Sequence, residues 1–404
     1  MAERAAIRAD NEKHWILAEQ YWSIAAAWFA EQNAEKERDA RMRAAETHVK
    51  QSEEALSKRD PPDYFVASIF LRKAIIALRR IPRTMERIEE LHKKLLQYEE
   101  ESSRAETGSV SIEISPEIQE SIERDMERAK ERVKGKKTHE ALFALAFLAR
   151  SPDVPTLRKT AEAAMKDYPL SFLFPRVVLS DTGKVVASAT GGNDSSYEEA
   201  KLLAQMFTQA QLEQQYRVTC IIEPARRQII QEHTVRVEDV RPLVMNNPFI
   251  PPGREYIFAR GLYSGLIGDF LVSTHLLIPQ LEHSIRRLLY QSGAIASTLE
   301  DRGIEHERDL NRTLYEPFAD KLRELLGENL VFDLRGLLVE DVGSNLRNAL
   351  AHGLIDSNSF FSKQLSYVWW ITLHLCCLSL LKVEKRDTQE LTPDEGNGHL
   401  VNNR

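Results

Sequence analysis

The stretch Gly343–Ser357, GSNLRNALAHGLIDS, decides how the C-terminal part of this chain is read. It holds Arg347, Asn348 and, five residues beyond the arginine, His352. Leu346, Leu350 and Leu354 recur at every fourth position, so a helix here packs them inward and carries Asn348 and His352 together on another face. On a straight helix Arg347 points about 140° away from His352. The two groups meet at one atom only through the reach of arginine, a break near Gly353, or a second copy of the chain.

Outward from this stretch, helical patterns dominate. The C-terminal region, residues 246–385, opens on the proline-rich NNPFIPPGRE and runs through GLYSGLIGDFLVSTHLLIPQLEHSIRRLLYQSG. It closes on LSYVWWITLHLCCLSLLKV, residues 365–383. That last segment falls slightly short of the roughly 20 apolar residues of a membrane span. Ser366, His374 and Ser379 also interrupt it, so it reads as a buried helix of a protein with no membrane association. The tail, residues 386–404, is too polar to pack and is expected to be disordered.

Residues 1–101 read as all-helical. In HWILAEQYWSIAAAWFAEQ the residues Trp15, Ala18, Trp22, Ala25, Ala26 and Phe29 recur at helical spacing. Pro61 and Pro62 break the pattern before FVASIFLRKAIIALRRI resumes it with alanines where helices approach. The style is that of a helical-hairpin array, without a clean repeat of about 34 residues, and suits an adaptor or packing layer that takes a protein partner. Residues 102–117 read as a linker. Residues 118–245 read as an α+β middle region. Its signals are a β-hairpin around Asp181-Thr182-Gly183-Lys184 and an additional strand in RVTCIIEP.

Bulk properties set the frame. A chain of 404 residues suggests two or three domains, and 43% hydrophobic with 28% charged residues is a soluble composition. The net charge of -7 argues against a chain-wide basic coat for duplex DNA but leaves room for a local basic groove. Cys220, Cys376 and Cys377 have neither metal-ligand nor disulfide-framework spacing and read as buried thiols of a reducing compartment. The charged start, MAERAAIRADNEKHW, is not a signal peptide, so a cytoplasmic location is expected.

An arginine followed a few residues later by a histidine carries almost no information here. Arg8 and His14, Arg43 and His48, Arg87 and His92, Arg132 and His139, and Arg227 and His233 all fit an arginine, four to six residues, then a histidine. The pair at 347 and 352 differs because asparagine follows the arginine directly, Gly353 follows the histidine, and the surroundings are apolar, where unpaired polar groups are costly. LRNALAHG resembles the signature of the HEPN superfamily: an arginine, a polar residue that is often asparagine, three more residues, and a histidine. With PQLEHSIRRLL upstream, the wider stretch resembles an uncharacterised HEPN-containing group, the domain-of-unknown-function family numbered 4209. The resemblance covers roughly residues 245–385.

The resemblance implies a bundle of helices that forms a homodimer through the C-terminal domain, so that two motifs face each other. In the nuclease members such a composite cleft cuts RNA without a metal. Carried onto this chain, the catalytic candidates are Arg347 and His352, with Asn348 as polar partner. A role as toxin or phage-defence effector rests on the resemblance alone, and some family members only bind nucleotides or partners. The residue types suit the chemistry. Histidine, with a reference pKa of about 6.5, can take or give a proton near neutral pH. Arginine stays cationic and matches phosphate oxygens with its planar fork. The 2′-hydroxyl of RNA is the nucleophile, so the products are a 2′,3′-cyclic phosphate and a 5′-hydroxyl, and no cofactor or metal is needed.

Three further residues support the motif. His275, Glu282 and Arg286 fall on one helical stripe, with Glu282 and Arg286 in the favourable i, i+4 order. Glu282 either positions Arg347 or His352, or makes an ordinary ion pair between helices. Arg347 could instead pair with Glu340 or Asp341, and His352 could simply cap its helix. Other motifs fail: HERD at 306–309 lacks zinc-ligand company, SATGGND has no following Lys-Ser or Lys-Thr, and there is no GxSxG elbow. RVKGKK at 132–137 reads as a solvated basic run.

Overall fold

The computed structural model describes residues 1–104, 115–168, 177–179, 185–188, 195–294, 297–299, 305–307 and 310–390. The fold is mainly helical. The chain divides into two compact units, Met1–Ser111 with Val178–Val186, and Ile112–Val177 with Ala187–Arg404.

The first unit is a succession of helices, α1 (Ala2–Asn11), α2 (Trp15–Phe29), α3 (Ala34–Ser57), α4 (Tyr64–Leu78) and α5 (Met85–Arg104), each packed against the next. Alanine makes the close approaches possible: Ala6, Ala18, Ala25, Ala26, Ala40, Ala45, Ala67 and Ala74 are all buried, with Trp22, Leu71, Leu78 and Leu91 among the large core residues. The turns are fixed by side-chain caps. Asn33 accepts the Glu35 and Lys36 N–H groups at the start of α3, and Asp63 accepts that of Val66 at the start of α4.

The second unit contains α6 (Pro116–Val133), α7 (Thr138–Ala146), α8 (Val154–Asp167), α9 (Ser195–Arg217), α10 (Glu223–Glu232), α11 (Val237–Val244), α12 (Glu255–Leu266), α13 (Phe270–Gln291), α14 (Leu310–Thr313), α15 (Phe318–Leu326), α16 (Glu328–Leu338), α17 (Leu346–Ala351) and α18 (Lys363–Glu390). The apolar C-terminal segment makes up most of α18 and forms the centre of this unit, against α7, α9, α11, α12 and α13. Two thirds of Lys363–Leu381 is buried by the protein itself. Its polar atoms are bonded internally: Trp369 donates to the Leu262 carbonyl, Trp370 to that of Leu145, His374 to that of Ala146, and Ser379 to Asn247. A Cβ on Gly265 would lie 2.2 Å from Trp369 Cδ1, so glycine is what admits the indole. Cys376 and Cys377 are free buried thiols; burial pushes the Cys377 pKa to about 12 and that of Cys376 up as well.

Several expectations are corrected. One hydrophobic core joins Ala129 to Cys377 across Asn246, so residues 118–245 and 246–385 share an interior. The region expected to be α+β is helical over most of its described residues. Val177–Leu179 and Val185–Ser188 pair only as a short two-stranded sheet, which does not make the region α+β, and the turn residues Asp181–Lys184 fall outside the described residues. RVTCIIEP is no strand. Val218–Ile222 is a turn of π-helix between α9 and α10, because Pro224 has no N–H for the Cys220 carbonyl and the Glu223 N–H reaches back to Val218 instead. The β-branched run that suggested a strand is helical and packs Val218, Cys220 and Ile222 inward. At the linker, α5 extends to Arg104 and α6 begins at Pro116. The first five residues of the tail, 386–390, continue α18, and 391–404 lie outside the described residues.

Candidate functional site

Two helices carry the residues singled out by sequence. Helix α13 brings His275, Glu282 and Arg286; α17 brings Arg347 and Asn348, and His352 follows its last residue. Pro279 lies within α13 without ending it. The lead into α17 is pinned by a glycine contact. Gly343 sits so close to α16 that a Cβ would meet the Gly336 carbonyl oxygen at 2.1 Å, and Ser344 donates to that oxygen at 2.8 Å. Asn345 then takes the left-handed conformation, φ +47°, and its carbonyl accepts the Ala349 N–H to begin α17.

Glu282 is the hub. Arg347 Nε donates to its Oε2 at 3.0 Å and Nη2 to its Oε1 at 3.5 Å, while Arg286 Nη1 donates to Oε1 at 2.7 Å. One carboxylate is thus shared by two guanidinium groups. Asn348 holds the other edge of Arg347: its Oδ1 accepts from Arg347 Nη1 at 3.0 Å and from Asn311 Nδ2 at 3.2 Å. Its Nδ2 donates to Asn345 Oδ1 at 2.7 Å, so the amide orientation is set at both ends. Three of the five guanidinium N–H groups of Arg347 are thus engaged, and the other two have no partner among the described residues, in a side chain that is 22% exposed.

His352 lies where α17 stops. The Gly353 N–H bonds the Leu350 carbonyl and the Leu354 N–H bonds that of Ala349, with Gly353 at φ +65°. This is a Schellman ending, which only glycine makes without strain. The break expected near Gly353 is therefore present. It also corrects one assignment: Leu346 packs inward and Leu350 partly so, but Leu354 lies beyond the break and is exposed. His352 is exposed, and its ring makes no hydrogen bond to a described residue. The rise from Arg347 to His352 is about 7.5 Å along the helix.

The alternative partners proposed for Arg347 are otherwise occupied. Glu340 accepts from Arg335 at 2.7 Å and from Tyr315 at 2.8 Å, and Asp341 accepts from Asn345 at 2.9 Å. His275 is on the same stripe as Glu282 but is not joined to the cluster. It donates to the Leu271 carbonyl and stacks on Phe360, with ring centroids 5.5 Å apart. Asn311 and Asn345 were missed by sequence reasoning. Asn345 offered a faint signal, being one of the residue types that tolerates the left-handed region; Asn311 offered none.

No protein-family model, curated protein or solved structure matches the chain.

Proposed function

We propose that this chain is a HEPN-type endoribonuclease that cleaves RNA by 2′-hydroxyl attack, with no metal, at a site completed by a second copy of the chain. The observation that carries the reading is the division of labour within the motif. Arg347 is oriented by Glu282 and Asn348 yet has two N–H groups with no partner among the described residues, while His352 is exposed at the end of the helix and its ring bonds no described residue. Arg347 would hold the non-bridging phosphate oxygens and neutralise the charge that grows on them. One imidazole would remove the 2′-hydroxyl proton as O2′ bonds to phosphorus, and protonated imidazole would supply the proton taken by O5′ as the P–O5′ bond breaks. The turn between Arg347 and His352 separates them on one helix. In a homodimer through the C-terminal region, Arg347 of one copy and His352 of the other would share a phosphate. The helices of the first unit would recruit a protein partner or a target, and toxin or phage-defence work fits such a nuclease.

A second reading is a non-catalytic HEPN module that binds RNA, nucleotides or protein. The Arg347–Glu282 pair favours it, because a partly buried ion pair between helices is also what a purely structural arginine makes. The decisive experiment incubates purified chain with single-stranded and structured RNA in EDTA, wild type beside His352→Ala. Cleavage by wild type alone, leaving 2′,3′-cyclic phosphate ends, supports the nuclease. Equal cleavage by both removes His352 from the mechanism, and RNA binding without cleavage by either supports the module.

A further inference from the structure

The π-helical turn forms one wall of a cavity that the reading above does not use. The cavity has a volume of about 740 Å3 and lies wholly in the second unit. That falls within the about 300–1,000 Å3 of small-molecule sites. Widened helical turns of this kind are frequent at functional sites, since they displace backbone that regular helix would bury. Four cationic side chains line the cavity, Lys130 from α6, Arg226 and Arg227 from α10, and Lys363 from the first turn of α18.

One carboxylate, Glu223, opposes them, and it is already committed. It accepts from Arg226 Nε at 2.9 Å, Arg226 Nη2 at 2.7 Å and Ser366 Oγ at 2.7 Å. Burial alone would raise its pKa, but the bonds from Arg226 and Ser366 hold it below the ordinary carboxylate range. Lys130 is shared with Glu127 at 3.1 Å. Arg227 reaches Glu223 only at 3.5 Å with its side chain 72% exposed, and Lys363 makes no ion pair to a described residue. Positive charge is therefore in excess, and the N-terminal turn of α18 adds the positive end of its dipole. Beside the cations stand two aromatic rings. Phe270 lies 5.6 Å from the Arg226 guanidinium, and Phe361 is 83% exposed, a large apolar surface left uncovered at the cavity wall.

We propose that this cavity is a binding site for a small organic anion, a phosphate ester with a flat apolar body. The phosphate is held by Lys363, Arg227 and the first turn of α18, and the flat body covers Phe361. The site stands independently of the RNA-cleavage reading, because none of its residues belongs to the Arg347 cluster.

The test titrates the full chain with phenyl phosphate and with inorganic phosphate, following ligand line broadening by NMR. Phenyl phosphate is expected to bind in the millimolar range or tighter, and inorganic phosphate about tenfold more weakly. Reversing two charges in Arg227→Glu with Lys363→Glu is expected to weaken phenyl phosphate at least about tenfold. Both residues are exposed, so circular dichroism should report an unchanged fold. Phe361→Ala should remove the preference for the aryl ester and leave phosphate binding alone. Equal affinity for both ligands, unchanged binding in the charge-reversed chain, or no phenyl phosphate binding up to about 10 mM overturns the proposal.

Discussion

Glu282→Ala is the sharpest perturbation of the candidate site, because one side chain holds two arginines. Its removal takes from Arg347 its bonds at 3.0 and 3.5 Å and from Arg286 its bond at 2.7 Å, leaving two guanidinium groups without the charge between them. At about 3 Å and an effective dielectric of about 20, one such pair is worth about 5.5 kcal/mol before desolvation. Desolvation returns most of that. The side chains are 13% exposed at Glu282, 18% at Arg286 and 22% at Arg347, between the exposed pairs worth about 0.2–1 kcal/mol and the buried ones whose breakage costs about 3–5 kcal/mol. A net loss of about 1–2 kcal/mol follows for the α13–α17 contact, which multiplies local opening by about 5- to 30-fold.

Amide hydrogen exchange reads that number where global unfolding would not, since a chain of two units need not unfold in one step. Peptides covering Leu346–Leu354 in Glu282→Ala should exchange faster by that factor, while those from α2 and α3 in the other unit should not change. Arg347→Ala should give a similar acceleration, and the double variant should add little to either single one, a coupling of about 1 kcal/mol. If the two single effects instead multiply in the double variant, the pair contributes nothing in solution. The claim that Glu282 positions Arg347 then fails, and with it the argument that Arg347 has a fixed direction in which to present its remaining N–H groups.

Two other substitutions probe the core that supports the site. Gly265→Ala places a Cβ 2.2 Å from Trp369 Cδ1, so it should destabilise the second unit by about 1–3 kcal/mol and lower its urea midpoint, followed by tryptophan fluorescence; an unchanged midpoint would mean that the indole moves aside freely. Asp333 is buried beneath α18, accepting from Tyr367 at 2.7 Å and Gln214 at 2.6 Å, and burial raises its pKa above the ordinary aspartate value. A folded pKa above the unfolded one means that this group's contribution is present below the unfolded value, about 3.9, and is lost as pH rises through the folded value. Asp333→Asn removes the buried charge, so it should raise the urea midpoint at pH 8 more than at pH 4; a uniform loss at both would show that the carboxylate's bonds matter more than its desolvation.

What could be read from the sequence follows from how far apart the interacting residues lie. Trp22, Ala25 and Ala26 announce their helix because its buried face repeats within a few residues, and the Trp369–Cys377 segment does so because nearly every position is apolar. Local rules also marked the break after His352, since Gly353 is adjacent to it. The same rules failed at VTCII, where residue type favoured a strand and one proline, by withholding a single N–H, produced a wide helical turn instead. They failed again at Leu354, whose spacing assumed that the helix ran on past the glycine. The partner of Arg347 was undecidable at that level: Glu340, Asp341 and Glu282 are all carboxylates, and the nearest two in sequence were the wrong ones. Choosing Glu282, 65 residues away, requires knowing that Gly343 lets the chain press against Gly336 and that Asn345 turns it left-handed before α17 begins. Position in the fold, which no short pattern encodes, is what turns an uninformative Arg-to-His spacing into an arginine with a direction and a histidine with access to solvent.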